Sequence, residues 1–291
     1  MSRRLVGAKS RRPQVIHSLP TLTRTLARWR ARRERIALVP TMGALHAGHL
    51  ALIKRAQRRA DRVIVSIFVN PTQFAPSEDL KNYPRTFTAD LQALTRVGAD
   101  LVWAPSAETM YPPGFATRVV PDGPAAVGLE DAFRPHFFAG VATVVAKLLL
   151  QCQADIATFG EKDYQQLKVV TLMARDLDLK TRIVAIPTVR ESDGLALSSR
   201  NAYLSPAERA IAPTLHRVLV TCAKQIAAGH AIAGTLAQGR AALTEAGFVV
   251  DYLEARNAET LAPVQSAREG PLRLLVAARI GKTRLIDNIA G

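Results

Sequence analysis

Short, continuous apolar runs alternate with longer segments of helical periodicity along the first part of this 291-residue chain. Residues 36–39 (Ile-Ala-Leu-Val) read as a buried strand ending at Pro40, and 63–69, rich in β-branched residues, as a second. Further strands fall at 101–103, 156–159 and 182–186. Between them, helical spacing covers 48–60, with Leu50, Ile53 and Ala56 on one side, and also 88–97, 141–151 and 165–177. Apolar strands separated by helices belong to a parallel sheet covered on both faces. After about residue 190 the pattern changes. An Ala-rich, helix-forming stretch runs over 206–246, followed by strand-like segments at 249–253, 272–277 and 283–286. The expectation is an α/β chain with a Rossmann-like parallel-sheet domain over 1–188 and a smaller C-terminal α/β domain over 189–291, hinged near 187–191.

Composition supports a sizeable core, with 48% hydrophobic residues. The two cysteines, Cys152 and Cys222, lie far apart and outside any CxxC or Cys/His cluster, which argues against a disulfide framework or a structural zinc site. A cytoplasmic setting is expected. The longest apolar stretch, 141–150, contains Lys147 and falls short of the ~20 residues of a membrane span, so no membrane association is expected. Net charge is +15 and uneven: residues 1–36 hold eleven basic residues against the single acid Glu34, a net of +10. A basic arm of this kind can bind nucleic acid, or it can be a solvated extension, here about 1–30. Leu22, Leu26 and Trp29 fall at helical spacing, no aromatics interleave with the first arginines, and no nucleic-acid motif occurs. The solvated reading is favoured, and no nucleic-acid partner is expected.

Four polar segments follow strands directly, where ligands of open α/β sheets bind. In Pro40-Thr-Met-Gly-Ala-Leu-His-Ala-Gly-His49 a strand ends, turns at Gly43 and enters a helix, whose free N–H groups form an anion site. His46 and His49, three apart, can both face one phosphate group and donate hydrogen bonds to it. A metal pair would need further ligands, and no nearby Asp, Glu or Cys supplies them. In 68–74 (FVNPTQF), Asn70 and Gln73 suit a small polyhydroxy acid, while Asn-Pro serves a plain turn equally well. In 159–166 (FGEKDYQQ), Lys162 can meet phosphates, Asp163 can orient it, and Gln166 lies one turn into a helix; taken alone, the segment also reads as an exposed turn. In 187–201, Ser198, Ser199 and Arg200 combine two hydroxyls with a guanidinium, as a polyphosphate site would, or form an ordinary Ser-rich loop. The HxGH stretch resembles the nucleotidyltransferase superfamily that includes class I aminoacyl-tRNA synthetases, which implies a nucleotide-binding fold.

Together the segments closely resemble the pantothenate synthetase family. The likeness also includes Glu78-Asp-Leu, Tyr83-Pro-Arg-Thr86, Asp90-Leu, Met110-Tyr-Pro112, 140–147, 275–279 and 283–288, and so spans about 34–288. It implies ATP-dependent condensation of pantoate with β-alanine through a pantoyl-adenylate, with ATP as co-substrate, Mg2+ as its companion, and a homodimer. It implies His46, His49, Lys162, Ser198, Ser199 and Arg200 as catalytic, the last three closing from the C-terminal lid. The ATP site would add Thr41, Met42, Gly43, Gly160, Asp163, Val189 and Leu197. Gln73 and Gln166 would hold pantoate, with Met42 and Asn70 nearby, and Asp90 would help place magnesium or the triphosphate.

Three departures stand out. The family spacing HFxGV meets Phe137 where its histidine is expected, with His136 one place early; either the loop shifts or a polar contact is lost. Leu197 replaces a methionine common before Ser-Ser-Arg, and the basic extension is foreign to the family. Two other readings remain, a nucleotidyltransferase acting on a phosphate-bearing acceptor and a nucleic-acid binder using a nucleotide fold.

Overall fold

The computed structural model describes residues 12–74, 80 and 82–291. The first eleven residues of the basic extension and the Glu78-Asp79 pair lie outside the described residues. In chain order the main elements are β1 (Gln14–Ile16), α1 (Leu19–Ala31), β2 (Ile36–Thr41), α2 (Ala47–Gln57), β3 (Arg62–Ile67), α3 (Phe87–Val97), β4 (Leu101–Trp103), α4 (Ala107–Met110), α5 (Glu130–Phe133), α6 (Phe137–Cys152), β5 (Ile156–Gly160), α7 (Tyr164–Asp176) and β6 (Arg182–Ile186). Then follow α8 (Pro206–Ile211), α9 (Thr214–Ala227), α10 (Ile232–Glu245), β7 (Val249–Asn257), β8 (Leu272–Ile280) and β9 (Thr283–Ala290). They form two compact units. One takes the described residues up to Val120 with 139–159 and 170–186; the other takes 121–138, 160–169 and 187–291.

The first unit is a six-stranded parallel sheet in the order β1-β4-β3-β2-β5-β6. The order reverses at β2, whose neighbours are β3 and β5. This is the switch point at which doubly wound sheets bind ligands. The central strands are largely apolar because they are covered: Val63, Val65, Ala37, Val39 and Ile156 pack with Leu52 and Ile53 of α2 and Leu91 and Leu94 of α3. Helix α1 buries Leu22, Leu26 and Trp29 and turns its arginines outward, with Arg30 reaching Asp155 at 2.8 Å. The edge strand β1 pairs with β4 over only three residues, too few for its period to show in the sequence.

The second unit is built on an antiparallel sheet, β7-β8-β9. Alternation along its strands separates two faces. One carries Leu253, Ala255, Leu272, Leu274, Val276 and Leu285 against Leu215, Leu219, Ile226 and Leu243 of the helices α9 and α10. The other presents polar side chains to 121–138 and 160–169. Here Glu130, only 6% exposed, accepts from both Arg284 Nη atoms at 2.7 and 2.8 Å and from the Tyr252 hydroxyl at 2.9 Å. Arg284 Nε is taken by Asp251 at 2.7 Å. Burial, and then the Glu130 charge, hold the Tyr252 phenol well above its ordinary range.

A buried ion pair contributes little over an apolar pair, but loss of one partner strands the other charge at a cost of about 3–5 kcal/mol. Arg284→Ala is therefore expected to lower the unfolding free energy measured in urea by about that amount, and Glu130→Ala/Arg284→Ala by clearly less than the sum of the two single changes. Additive losses in equilibrium denaturation would contradict the pairing.

Candidate active site

At the carboxyl end of β2 the Thr41 hydroxyl donates to the Ser66 carbonyl at 2.7 Å and accepts from Gly43 N–H at 3.2 Å. The chain then turns through Gly43, at φ +82°, where an added Cβ would stand 3.1 Å from the Asp90 carboxylate. That carboxylate, buried in α3, accepts from Ala44 N–H at 3.1 Å, Leu45 N–H at 2.8 Å and the Thr86 hydroxyl at 3.2 Å. Asp90 thus holds the turn that leads into α2. Its two oxygens are engaged by the protein, and among the described residues no cluster of three His, Cys, Asp or Glu is placed to hold a metal ion.

His46 is the N-cap of α2, and with His49 it forms a reciprocal capping box. His46 Nδ1 accepts from Gly48 N–H at 3.2 Å, and His49 Nδ1 accepts from His46 N–H at 3.3 Å. The rings lie 4.1 Å apart, centre to centre. A neutral imidazole that accepts at Nδ1 carries its proton on Nε2. With Nδ1 engaged by the cap, a neutral ring at either position offers Nε2–H as its remaining donor beside the positive end of a helix.

After β3, Asn70 is 1% exposed and fully engaged. Its Nδ2 donates to Gln73 Oε1 and to the Gly140 carbonyl, both at 3.2 Å, and its Oδ1 accepts from Thr72 N–H, the Thr72 hydroxyl and the Tyr111 hydroxyl. Asn70 orients Gln73, whose Nε2 also reaches Met42 Sδ at 3.0 Å. The loop lies directly on Gly140, where a Cβ would overlap the Thr72 carbonyl.

In the second unit Lys162 Nζ lies 3.6 Å from Asp163, after Gly160. The backbone of this turn is held from β9: Asn288 Nδ2 donates to the carbonyls of Glu161 and Lys162 at 3.0 and 2.8 Å. Arg273 meets Glu161 Oε2 at 3.2 Å and stacks 4.1 Å over the Tyr164 ring. Gln165 is buried and spends its amide on Glu130 N–H, the Pro124 carbonyl and Asp131, while Gln166 beside it is half-buried. Further along, Leu197 N–H donates to the Val189 carbonyl at 3.0 Å and closes a short hairpin. It ends at Ser198, whose hydroxyl accepts from Arg200 N–H at 3.3 Å and caps the single turn Ser199–Tyr203. Arg190 anchors the hairpin by a two-pronged pair with Asp287 at 2.6 and 2.9 Å.

Phe137 begins α6 as an apolar residue. It packs with Ala125, Phe138 and Val169, and the Arg134 guanidinium lies 3.7 Å from its ring centre, while His136 is exposed. The anchoring roles of Thr86, Arg190, Arg273 and Asp287 do not follow from the spacing of residues in the sequence. One signal was present: Asp-Asn inside the otherwise apolar run Leu-Ile-Asp-Asn-Ile breaks strand propensity and asks for a polar partner.

The family profile described as pantoate-beta-alanine ligase matches residues 14–290. A pantothenate synthetase of Rhodopseudomonas palustris is 62% identical over 97% of this chain and 99% of its own length. The crystal structure of the Thermus thermophilus pantothenate synthetase matches with a TM-score of 0.89 at 47% identity, over 95% of this chain and 98% of that one. A pantoate-beta-alanine ligase from Francisella tularensis, complexed with beta-gamma ATP and beta-alanine, matches with a TM-score of 0.80 at 33% identity, over 96% and 97%.

Gly140→Ala is expected to push the 70–74 loop outward. It should cost about 1–3 kcal/mol as an overpacking change. Wild-type thermal stability would contradict this close approach.

Proposed function

The chain belongs to the pantoate-beta-alanine ligase family, and on that premise we propose how its residues divide the work. It is an ATP-dependent ligase that condenses pantoate with β-alanine to give pantothenate, AMP and pyrophosphate. A pantoate carboxylate oxygen attacks the α-phosphorus of ATP, and pyrophosphate leaves. The β-alanine amine then attacks the acyl carbon of the pantoyl-adenylate and displaces AMP.

In-line attack spreads charge over the equatorial and leaving oxygens, so fixed donors and cations supply the catalysis. His46 and His49 present Nε2–H to the phosphates from the capped start of α2, with the backbone of Thr41, Met42 and Gly43 beside them. Lys162 acts as a point charge steadied by Asp163 and Gly160. Ser198, Ser199 and Arg200 add hydroxyls and a guanidinium, and Val189 and Leu197 bound the adenine. Gln73 and Gln166 read pantoate. Asn70 acts on the substrate through Gln73, and Met42 lies against the same amide. The observation that supports this reading is the reciprocal histidine cap, in which each Nδ1 accepts from the backbone and a neutral ring keeps Nε2–H to donate to phosphate.

The resemblance gives Asp90 a share in placing magnesium or the triphosphate. Its oxygens accept from the Ala44 and Leu45 amides and the Thr86 hydroxyl, which supports a role exerted through the turn that leads into α2, with magnesium entering as the companion of ATP. No covalent nucleophile is needed. Burial raises both thiols, at Cys152 and Cys222, away from the reactive thiolate. No helix among the described residues is long and apolar enough to cross a membrane. A homodimer in the cytoplasm is the setting proposed, and sedimentation of the purified chain tests the dimer.

With ATP, magnesium and pantoate, AMP and pantothenate are expected to rise together only when β-alanine is added. AMP transfer to a phosphate-bearing acceptor without an amine would favour a nucleotidyltransferase instead. His46→Ala and Lys162→Ala are each expected to slow pyrophosphate release by about 10²–10³-fold in a folded protein; near-normal release would refute the roles assigned. His136→Ala, at an exposed side chain, is expected to change kcat/KM by less than about two-fold. A collapse of activity there would mean that this histidine replaces the one displaced at Phe137.

A further inference from the structure

Two segments assigned here to the triphosphate, 160–163 and 197–200, are both tied to consecutive residues of one strand. We propose that Asp287 and Asn288 of β9 are positioning residues that hold these two segments in one frame, so that Lys162 and Ser198–Arg200 meet the phosphates as a preformed set. The inference rests on the phosphate reading of Lys162 and 198–200 given above.

Successive strand residues point to opposite faces, so one dipeptide serves both sides of the sheet. Asp287, 3% exposed on its side chain, faces the hairpin. It pairs with both Arg190 Nη atoms, and Arg190 also donates to the Gly194 carbonyl at 3.0 Å and the Asn288 carbonyl at 3.3 Å. Arg190 and Ala196 form a bridge across the hairpin, so fixing Arg190 fixes the strand that delivers Ser198. Asn288, also 3% exposed, faces the other way and spends its amide on the Glu161 and Lys162 carbonyls. Its Oδ1 accepts from Arg273 Nε at 2.7 Å, and its own N–H donates to Asp287 Oδ1 at 2.7 Å.

The chemistry of each side chain matches its task. Two carbonyls need a donor, and Asn288 alone of the pair has one; a carboxylate there would repel both. An arginine fork needs a two-oxygen acceptor, which Asp287 supplies. Both side chains are committed to protein partners, so their effect on the reaction passes through Lys162 and the hairpin. Misplacement of a catalytic group by about 1 Å can slow a reaction about 10²-fold.

The test is a double-mutant cycle on the full-length chain, read as pantoate-dependent pyrophosphate release and as KM for β-alanine. Asn288→Asp is expected to slow release by about 10-fold or more with KM for β-alanine unchanged. In a Lys162→Ala background the same change should have less than about a two-fold further effect, because its target is gone. Asp287→Asn, nearly isosteric, is the second arm if Asn288→Asp fails to fold; it too should slow release about 10-fold in a folded protein. Normal release in the folded variants, or effects that simply multiply with Lys162→Ala, would overturn the inference while leaving the phosphate reading intact. Near-normal release by Lys162→Ala itself would overturn the phosphate reading, and this inference with it.

Discussion

Backbone amides and carbonyls that leave a sheet at the carboxyl ends of its strands lose their ladder partners and must be satisfied by something else. The chemistry-bearing loops of this chain are each an answer to that constraint. Asp90 takes the two amides of the turn after β2. Asn70 closes the loop after β3 on itself and on Gly140. Asn288 takes the two carbonyls of the turn after β5. In each case one buried polar side chain converts a loop, which would otherwise be mobile, into a fixed platform. An amide or carboxylate is used because a backbone group buried without a partner costs about 1–3 kcal/mol.

The side chains proposed to meet the phosphates are drawn into the same pattern of hydrogen bonds. His46 and Ser198 cap their own helix or turn, and His49 closes the box with His46, so the contacts that stabilise local structure also set the aim of these side chains. Preorganised donors need no rearrangement when charge develops on phosphate, which is what makes them effective. The second unit adds buried ion pairs, Glu130 with Arg284 and Asp287 with Arg190. Their geometry specifies how 121–138 and the 190–197 hairpin lie on the antiparallel sheet, although apolar packing would supply as much stability.

The parallel strands and the covering helices were legible because burial of the central strands leaves nearly continuous apolar runs, and the helices show a 3.6-residue period. β1 was not, since three residues carry no period. The histidine pair was legible because a strand, a glycine turn and a helix start frame it. The role of Asp90 was not: it lies more than forty residues from the amides it holds, and spacing says nothing of such a contact. The same holds for Arg190 and Asp287, ninety-seven apart. At Phe137 the sequence left two possibilities open; the structure places an apolar side chain at the helix start and leaves His136 exposed.

The proposed division of labour centres on one event, the attack of a carboxylate oxygen on the α-phosphorus of ATP. The most direct test is to supply pantoate labelled with oxygen-18 in its carboxylate, run the full reaction with β-alanine, and weigh the products by mass spectrometry. Passage through the pantoyl-adenylate predicts one labelled oxygen in AMP and none in pyrophosphate. AMP free of label, or label found in a phosphate released from the γ-position, would contradict the account.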